Sequence, residues 1–234
     1  MTKYFALAAA AITAMGVTSA QAQLITNFDS LNAGDAAVFR VPTLSGSTSA
    51  NIDPTGAAAA VNTAESSSAP NSYGVFWNWS GTAAADAKLR LTTNNTANFP
   101  NPAIDTTKVL RFDAKILTGA IRIALLVRET GGSGPVGSNA GTANSIEIFE
   151  PATPVLLDSS VSTDWQSISI DLSTCVLSGF ASAGTTTANG IFENGPWGAL
   201  EAFYITRADA AGVQLFIDNL EIVEPASVGE WLQY

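Results

Sequence analysis

After Leu24 the chain alternates apolar and polar residues at a period of two nearly throughout. Ala120 to Glu129 is the clearest case: Ile121, Ile123, Leu125 and Val127 share one face, and Arg122, Ala124, Leu126 and Arg128 the other. Lys108 to Ile116 repeats the pattern, with Leu110, Phe112, Ala114 and Ile116 opposite Val109, Arg111, Asp113 and Lys115. Such alternation predicts half-buried strands. Further strands are expected over 73–80, 86–92, 145–150, 165–172, 200–207 and 212–223. Leu117-Thr118-Gly119 reads as a tight hairpin turn between two of them. No apolar i, i+3, i+4, i+7 pattern is sustained beyond the first residues. Many short strands punctuated by Gly, Pro, Asn and Ser predict an all-β chain, a two-sheet antiparallel β-sandwich of jelly-roll type. Three stretches break the pattern: 43–72, either a long excursion or weak edge strands, and the loops 131–144 and 178–196.

In two strands the alternation changes phase. The last strand points Val213, Leu215 and Ile217 inward, then resumes at Leu220 and Ile222. An extra residue at Asp218-Asn219, a β-bulge, restores the facing. The first strand slips between Phe28 and Leu31, at Asp29. Two carboxylates at two phase changes, one in each terminal strand, predict a cation site where the chain ends meet. The competing expectation is that both acids cap their bulges by accepting backbone N–H bonds.

Composition narrows the context. Lys3, the apolar run 5–17 and Ala20-Gln21-Ala22 form an export leader over residues 1–22. The domain is then 23–224, with a short disordered tail over 225–234. The apolar run is shorter than the roughly 20 residues of a membrane span, so no membrane insertion is expected and the mature chain is read as secreted, extracellular or periplasmic. The sequence holds 10 basic and 20 acidic residues, and losing Lys3 with the leader leaves 9 against 20, a formal charge of −11. An anionic surface argues against nucleic acid and anionic lipid, and favours neutral ligands, cations or basic partners. Cys175 stands alone and can form no internal disulfide. There is no histidine, which removes imidazole-based triads and His-ligated zinc or copper.

Asn27-Phe28-Asp29-Ser30-Leu31 and Phe216-Ile217-Asp218-Asn219-Leu220-Glu221-Ile222 resemble the terminal strands of carbohydrate-binding-module-like jelly rolls, the galactose-binding-domain-like sandwiches of secreted bacterial proteins. Thr163-Asp164-Trp165 through Ile170-Asp171-Leu172 is similar to a Trp-led strand of those domains. The resemblance implies non-catalytic glycan recognition. It also implies a structural calcium, Ca2+, held by the carboxylates at the matching positions Asp29 and Asp218 with backbone carbonyls. Calcium takes about six to eight oxygens.

Candidate ligand residues follow from side-chain chemistry. Tyr73, Val75, Trp77 and Trp79 share one strand face, which is either core or a platform on which sugar rings stack. Arg122 and Arg128 lie opposite their strand's apolar set and can supply polar contacts. Trp197, in Gly195-Pro196-Trp197-Gly198, is a loop aromatic placed to meet a ligand. Ser145 to Pro151 has part of the Glu-x-Asp-x-Glu pattern of sandwich glycoside hydrolases, but the middle Asp is missing. Glu147 and Glu150 are three apart and face opposite ways, so they do not form a catalytic pair. The reading is therefore a secreted, non-catalytic binding module for glycan or polysaccharide. The alternative is a structural or adhesive envelope protein without a small-ligand site, and a polysaccharide-degrading enzyme ranks below both.

Overall fold

A computed structural model describes residues 22–44, 49–137, 146–180, 188–193 and 195–225. All of the predicted leader except Ala22, and the tail beyond Pro225, lie outside the described residues, as do parts of the loops 131–144 and 178–196. The strands in chain order are β1 (Gln23–Thr26), β2 (Ile52–Asn62), β3 (Ser72–Trp79), β4 (Lys88–Thr92), β5 (Ala103–Asp105), β6 (Val109–Thr118) and β7 (Ala120–Glu129). They continue with β8 (Ile146–Glu150), β9 (Val155–Asp158), β10 (Gln166–Asp171), β11 (Val176–Gly179), β12 (Trp197–Arg207) and β13 (Val213–Val223).

Every pairing is antiparallel, and the strands form two sheets. The first runs β10-β6-β13-β3-β2, with β1 also on β13; the second runs β11-β8-β7-β12-β4, with β5 on β12 and β9 on β7. The inward residues of both sheets meet in one core that includes Leu110, Phe112 and Ile116 from β6, Ile121, Leu125 and Val127 from β7, and Phe203 and Ile205 from β12. This is the two-sheet β-sandwich that the alternation predicts.

The slip in the last strand is a real bulge. The β13–β6 register shifts between Asp218 and Glu221, and Asn219 has a positive φ of 49°. The irregularity is also where β13 changes neighbour. Val213 to Ile217 pair with β3, whereas Leu220 to Ile222 pair with β1. The chain ends therefore lie side by side. The slip at Asp29 has another cause: β1 ends at Thr26, and Phe28 turns the chain with φ 62°.

Two local expectations are corrected. β6 and β7 do not form a hairpin, because β6 belongs to the first sheet and β7 to the second. Gly119, at φ 83°, turns the chain from one sheet to the other, and a Cβ there would lie 2.8 Å from the Gly212 carbonyl oxygen. Alternation on both sides of a glycine does not distinguish a hairpin from such a corner. The stretch 43–72 contains one long edge strand, β2, with a register break between Asp53 and Ala58.

Candidate functional site

The outer face of the second sheet departs from an ordinary solvated surface. Cross-strand register builds it in rows. Leu156, Arg122, Thr206 and Lys88 form one row; Val176, Glu150, Ala124, Tyr204 and Arg90 form the next; Ser178, Ile148, Leu126, Ala202 and Thr92 form a third. The first two rows reach solvent, with Arg122 and Glu150 exposed, Leu156 46% exposed and Val176 65% exposed. The third is covered from Leu126 to Thr92, while Ile148 is half-buried and Ser178 exposed. Leu126 and Ala202 are fully buried, and with Ile146 and Phe180 they make a second apolar cluster outside the main core.

Aromatic and charged groups interleave where the covered and open rows meet. Phe180 stands edge-on to Tyr204, with ring centroids 5.6 Å apart at 86°. The Lys88 ammonium lies 5.2 Å from the Tyr204 ring centre, and the Arg90 guanidinium 5.3 Å from that of Phe180. Burial pushes the Tyr204 phenol above its usual pKa, Arg90 opposes this, and Glu150 adds to it. The hydroxyl is therefore neutral at physiological pH and can both donate and accept hydrogen bonds.

Beneath this edge Glu201, 1% exposed, anchors an ion network. It is the extra residue of a bulge in β12, where the register shifts between Leu200 and Ala202. Its carboxylate accepts bonds from Arg90 Nη2 at 2.7 Å, Arg128 Nη2 at 3.0 Å and Nε at 3.1 Å, and Asn101 Nδ2 at 2.9 Å. Four charge-assisted donors on one carboxylate hold Arg90 and Arg128 in fixed positions.

The five expected ligand residues do not converge. Trp77 and Trp79 are 2% and 7% exposed and pack edge to face within the main core, so neither offers a face to a sugar. They share their inward face with Tyr73 and Val75, which are buried completely or nearly so. Arg128 is held by Glu201. Trp197 lines a separate cleft with Gln23, Asp105, Lys108 and Glu224. It stands nine residues from Thr206 on the same strand, roughly 30 Å from the Arg122 row at strand rise. Arg122 alone of the five is exposed on the open part of the outer face. The other residues of the face, Tyr204, Lys88, Arg90 and Glu201, are not among those that alternation and side-chain chemistry single out in the sequence. The signal for Glu201 was present: Leu200, Phe203 and Ile205 all face inward, and their spacing of three and then two is the same kind of slip that marks Asp218.

Asp29 and Asp218 are near enough for the Asp29 charge to help raise the pKa of Asp218, an effect dominated by burial and opposed by backbone hydrogen bonds from Ser68, Asn219 and Ser67. The donor set around them does not fit calcium. Asp218 Oδ2 accepts the N–H groups of Ser67 at 2.9 Å and Ser68 at 3.0 Å, and Oδ1 accepts that of Asn219 at 2.8 Å. Asp29 accepts from the Asn27 side chain at 2.8 Å and the Asn71 N–H at 3.2 Å. A carboxylate so ringed by donors presents N–H dipoles where a cation needs oxygens. Among the described residues no group of three or more His, Cys, Asp or Glu is disposed to hold a metal. Together the two acids clamp the segment 67–71 over the meeting point of the terminal strands.

No family model matches the chain, and no curated protein matches it. Solved structures do. The Family 11 carbohydrate-binding module of a cellulosomal cellulase of Clostridium thermocellum is 10% identical, covers 91% of this chain and 100% of its own, and has a TM-score of 0.48. A Family 30 carbohydrate-binding module from another cellulosomal cellulase of the same organism is 11% identical over 83% of this chain and 96% of its own, with a TM-score of 0.38. An exo-beta-agarase is 11% identical over 89% of this chain but only 25% of its own, with a TM-score of 0.43. Among the described residues no helix is long and apolar enough to cross a membrane.

Proposed function

We propose that this chain is an exported, non-catalytic carbohydrate-binding module whose ligand lies across the open rows of the second sheet's outer face. The half-buried Tyr204 ring carries the reading. It is bordered by Lys88, Arg90 and the Phe180 edge, with Glu150 two strands away in its own row. A sugar presents an apolar C–H face and a rim of hydroxyls. This row supplies the complement of both, an aromatic surface with charged donors and acceptors around it.

The non-catalytic part of the proposal is supported by the carboxylates. Glu150 is exposed on the outer face, whereas Glu147 is buried and accepts the N–H groups of Asn189 at 3.0 Å and Gly190 at 2.8 Å. They cannot flank one glycosidic bond. Burial pushes the Cys175 thiol up to about 11, which leaves it without nucleophilic character. Export rests on the leader read over residues 1–22. The proposal includes no ion at Asp29 and Asp218. Thorough chelation, and calcium added back, are expected to leave the melting temperature unchanged; a rise on adding calcium would restore the ion.

The structural or adhesive alternative gains from the burial of Trp77 and Trp79, which removes the indole platform. Calorimetric titration against a panel of soluble polysaccharides separates the two. Wild-type protein is expected to bind at least one polymer, and Tyr204→Ala to weaken that binding about tenfold or more, near 1.4 kcal/mol, with its melting temperature confirming the fold. Absence of any binder, or equal binding by the variant, favours the alternative.

A further inference from the structure

Resting on that reading, we infer that the carbohydrate taken by this face is anionic, bearing carboxylate or sulfate groups. Whole-molecule charge points the other way, since a chain of this acidity repels polyanions. The distribution of its cations eases that expectation locally. On the first sheet Lys108, Arg111 and Lys115 each have a carboxylate partner, Glu224, Glu221 and Glu65. On the outer face of the second sheet, Arg90 and Arg128 share Glu201. Arg122 and Lys88 have no ion-pair partner among the described residues. Arg122 is exposed, and the Lys88 ammonium lies over the Tyr204 ring.

Geometry makes these two cations a pair. Both stand in one row on either side of Thr206, so they are two strand spacings, about 10 Å, apart. An extended polymer crossing the row meets both, with Tyr204 in the adjoining row to receive a ring. Counting the whole face, Lys88, Arg90, Arg122 and Arg128 stand against Glu150 and Glu201, with Asp158 opposite Ala120 and Asp105 opposite Trp197. The face is charge-balanced on a strongly negative molecule, and among the described residues its free cations lie in the Arg122 row. Screening decides which field prevails. At physiological ionic strength charges beyond about 8–10 Å are largely screened, so remote acids lose their influence while a contacted carboxylate or sulfate keeps its partner.

The test compares polygalacturonate, alginate and a sulfated galactan with their carboxyl-reduced or desulfated counterparts, using wild type, Arg122→Gln, Lys88→Gln and the double variant. An anionic polymer is expected to bind at least about tenfold more tightly than its neutral form, and added salt to weaken it. The double variant is expected to bring the charged and neutral forms to the same affinity, with an unchanged melting temperature because both side chains stand at the solvent-facing edge. Equal binding of charged and neutral forms, still sensitive to Tyr204→Ala, overturns the anionic inference and leaves the carbohydrate reading intact. If no polymer of either kind binds, both fall.

Discussion

Glu201→Ala is expected to cost about 3–5 kcal/mol of folding stability, read as a fall in the denaturant midpoint at unchanged m-value. The magnitude follows from what is left behind. Arg90 and Arg128, with side chains 16% and 9% exposed, would keep their charge beside an apolar cluster after losing the carboxylate they share. Stranding buried charges costs more than the ion pair itself contributes. Glu201→Gln is expected to lie between wild type and alanine, because an amide oxygen still accepts a bond but supplies no charge. A loss below about 1 kcal/mol for the alanine variant would mean that water or other groups solvate the two guanidiniums, as at an ordinary surface.

Trp77→Ala is expected to cost a similar amount, about 3–5 kcal/mol, while leaving glycan affinity per folded molecule unchanged. The Trp77 indole packs against Trp79 at 5.8 Å between centroids and sits in the core with Val75 and Val213. Truncation removes a large apolar surface and opens a cavity between two sheets that cannot close over it. Tyr204→Ala should show the opposite profile, a small change in stability and a large one in binding. Were Trp77→Ala to abolish binding in a sample shown to be folded, the ligand surface would have to be sought on the first sheet.

What the sequence reveals of this fold depends on the physical signal each feature leaves. β7 was legible to the residue, because one face is apolar from Ile121 to Val127 and glycines punctuate both ends, Gly119 before it and Gly131 after it. The Asp218 bulge was legible because it displaced Leu220 and Ile222 out of phase. The adjacency of the chain ends followed from pairing that bulge with the first strand. The orientation of Trp77 and Trp79 was not legible: alternation shows that Tyr73, Val75, Trp77 and Trp79 share a face, but which face meets the other sheet is a tertiary fact. The corner at Gly119 was hidden for a related reason, since strand partners are set by residues far away in the chain. Tyr204 is hard to single out in the sequence because it stands between apolar Phe203 and Ile205, inside a strand that slips phase at Glu201. With that slip recognised, Tyr204, Lys88 and Arg90 fall on one face through the β12–β4 register.

The proposed ligand surface is the outer face of the second sheet, and a chemical-shift map of the isotope-labelled protein titrated with its best-binding polysaccharide reports on that claim directly. Resonances of Tyr204, Arg122, Lys88 and Glu150 are expected to move together and saturate, while the indole N–H signals of Trp77 and Trp79 stay in place. Saturating shifts centred on Trp197 and Lys108, or on the clamp formed by Asp29 and Asp218, with the Tyr204 row silent, would contradict it.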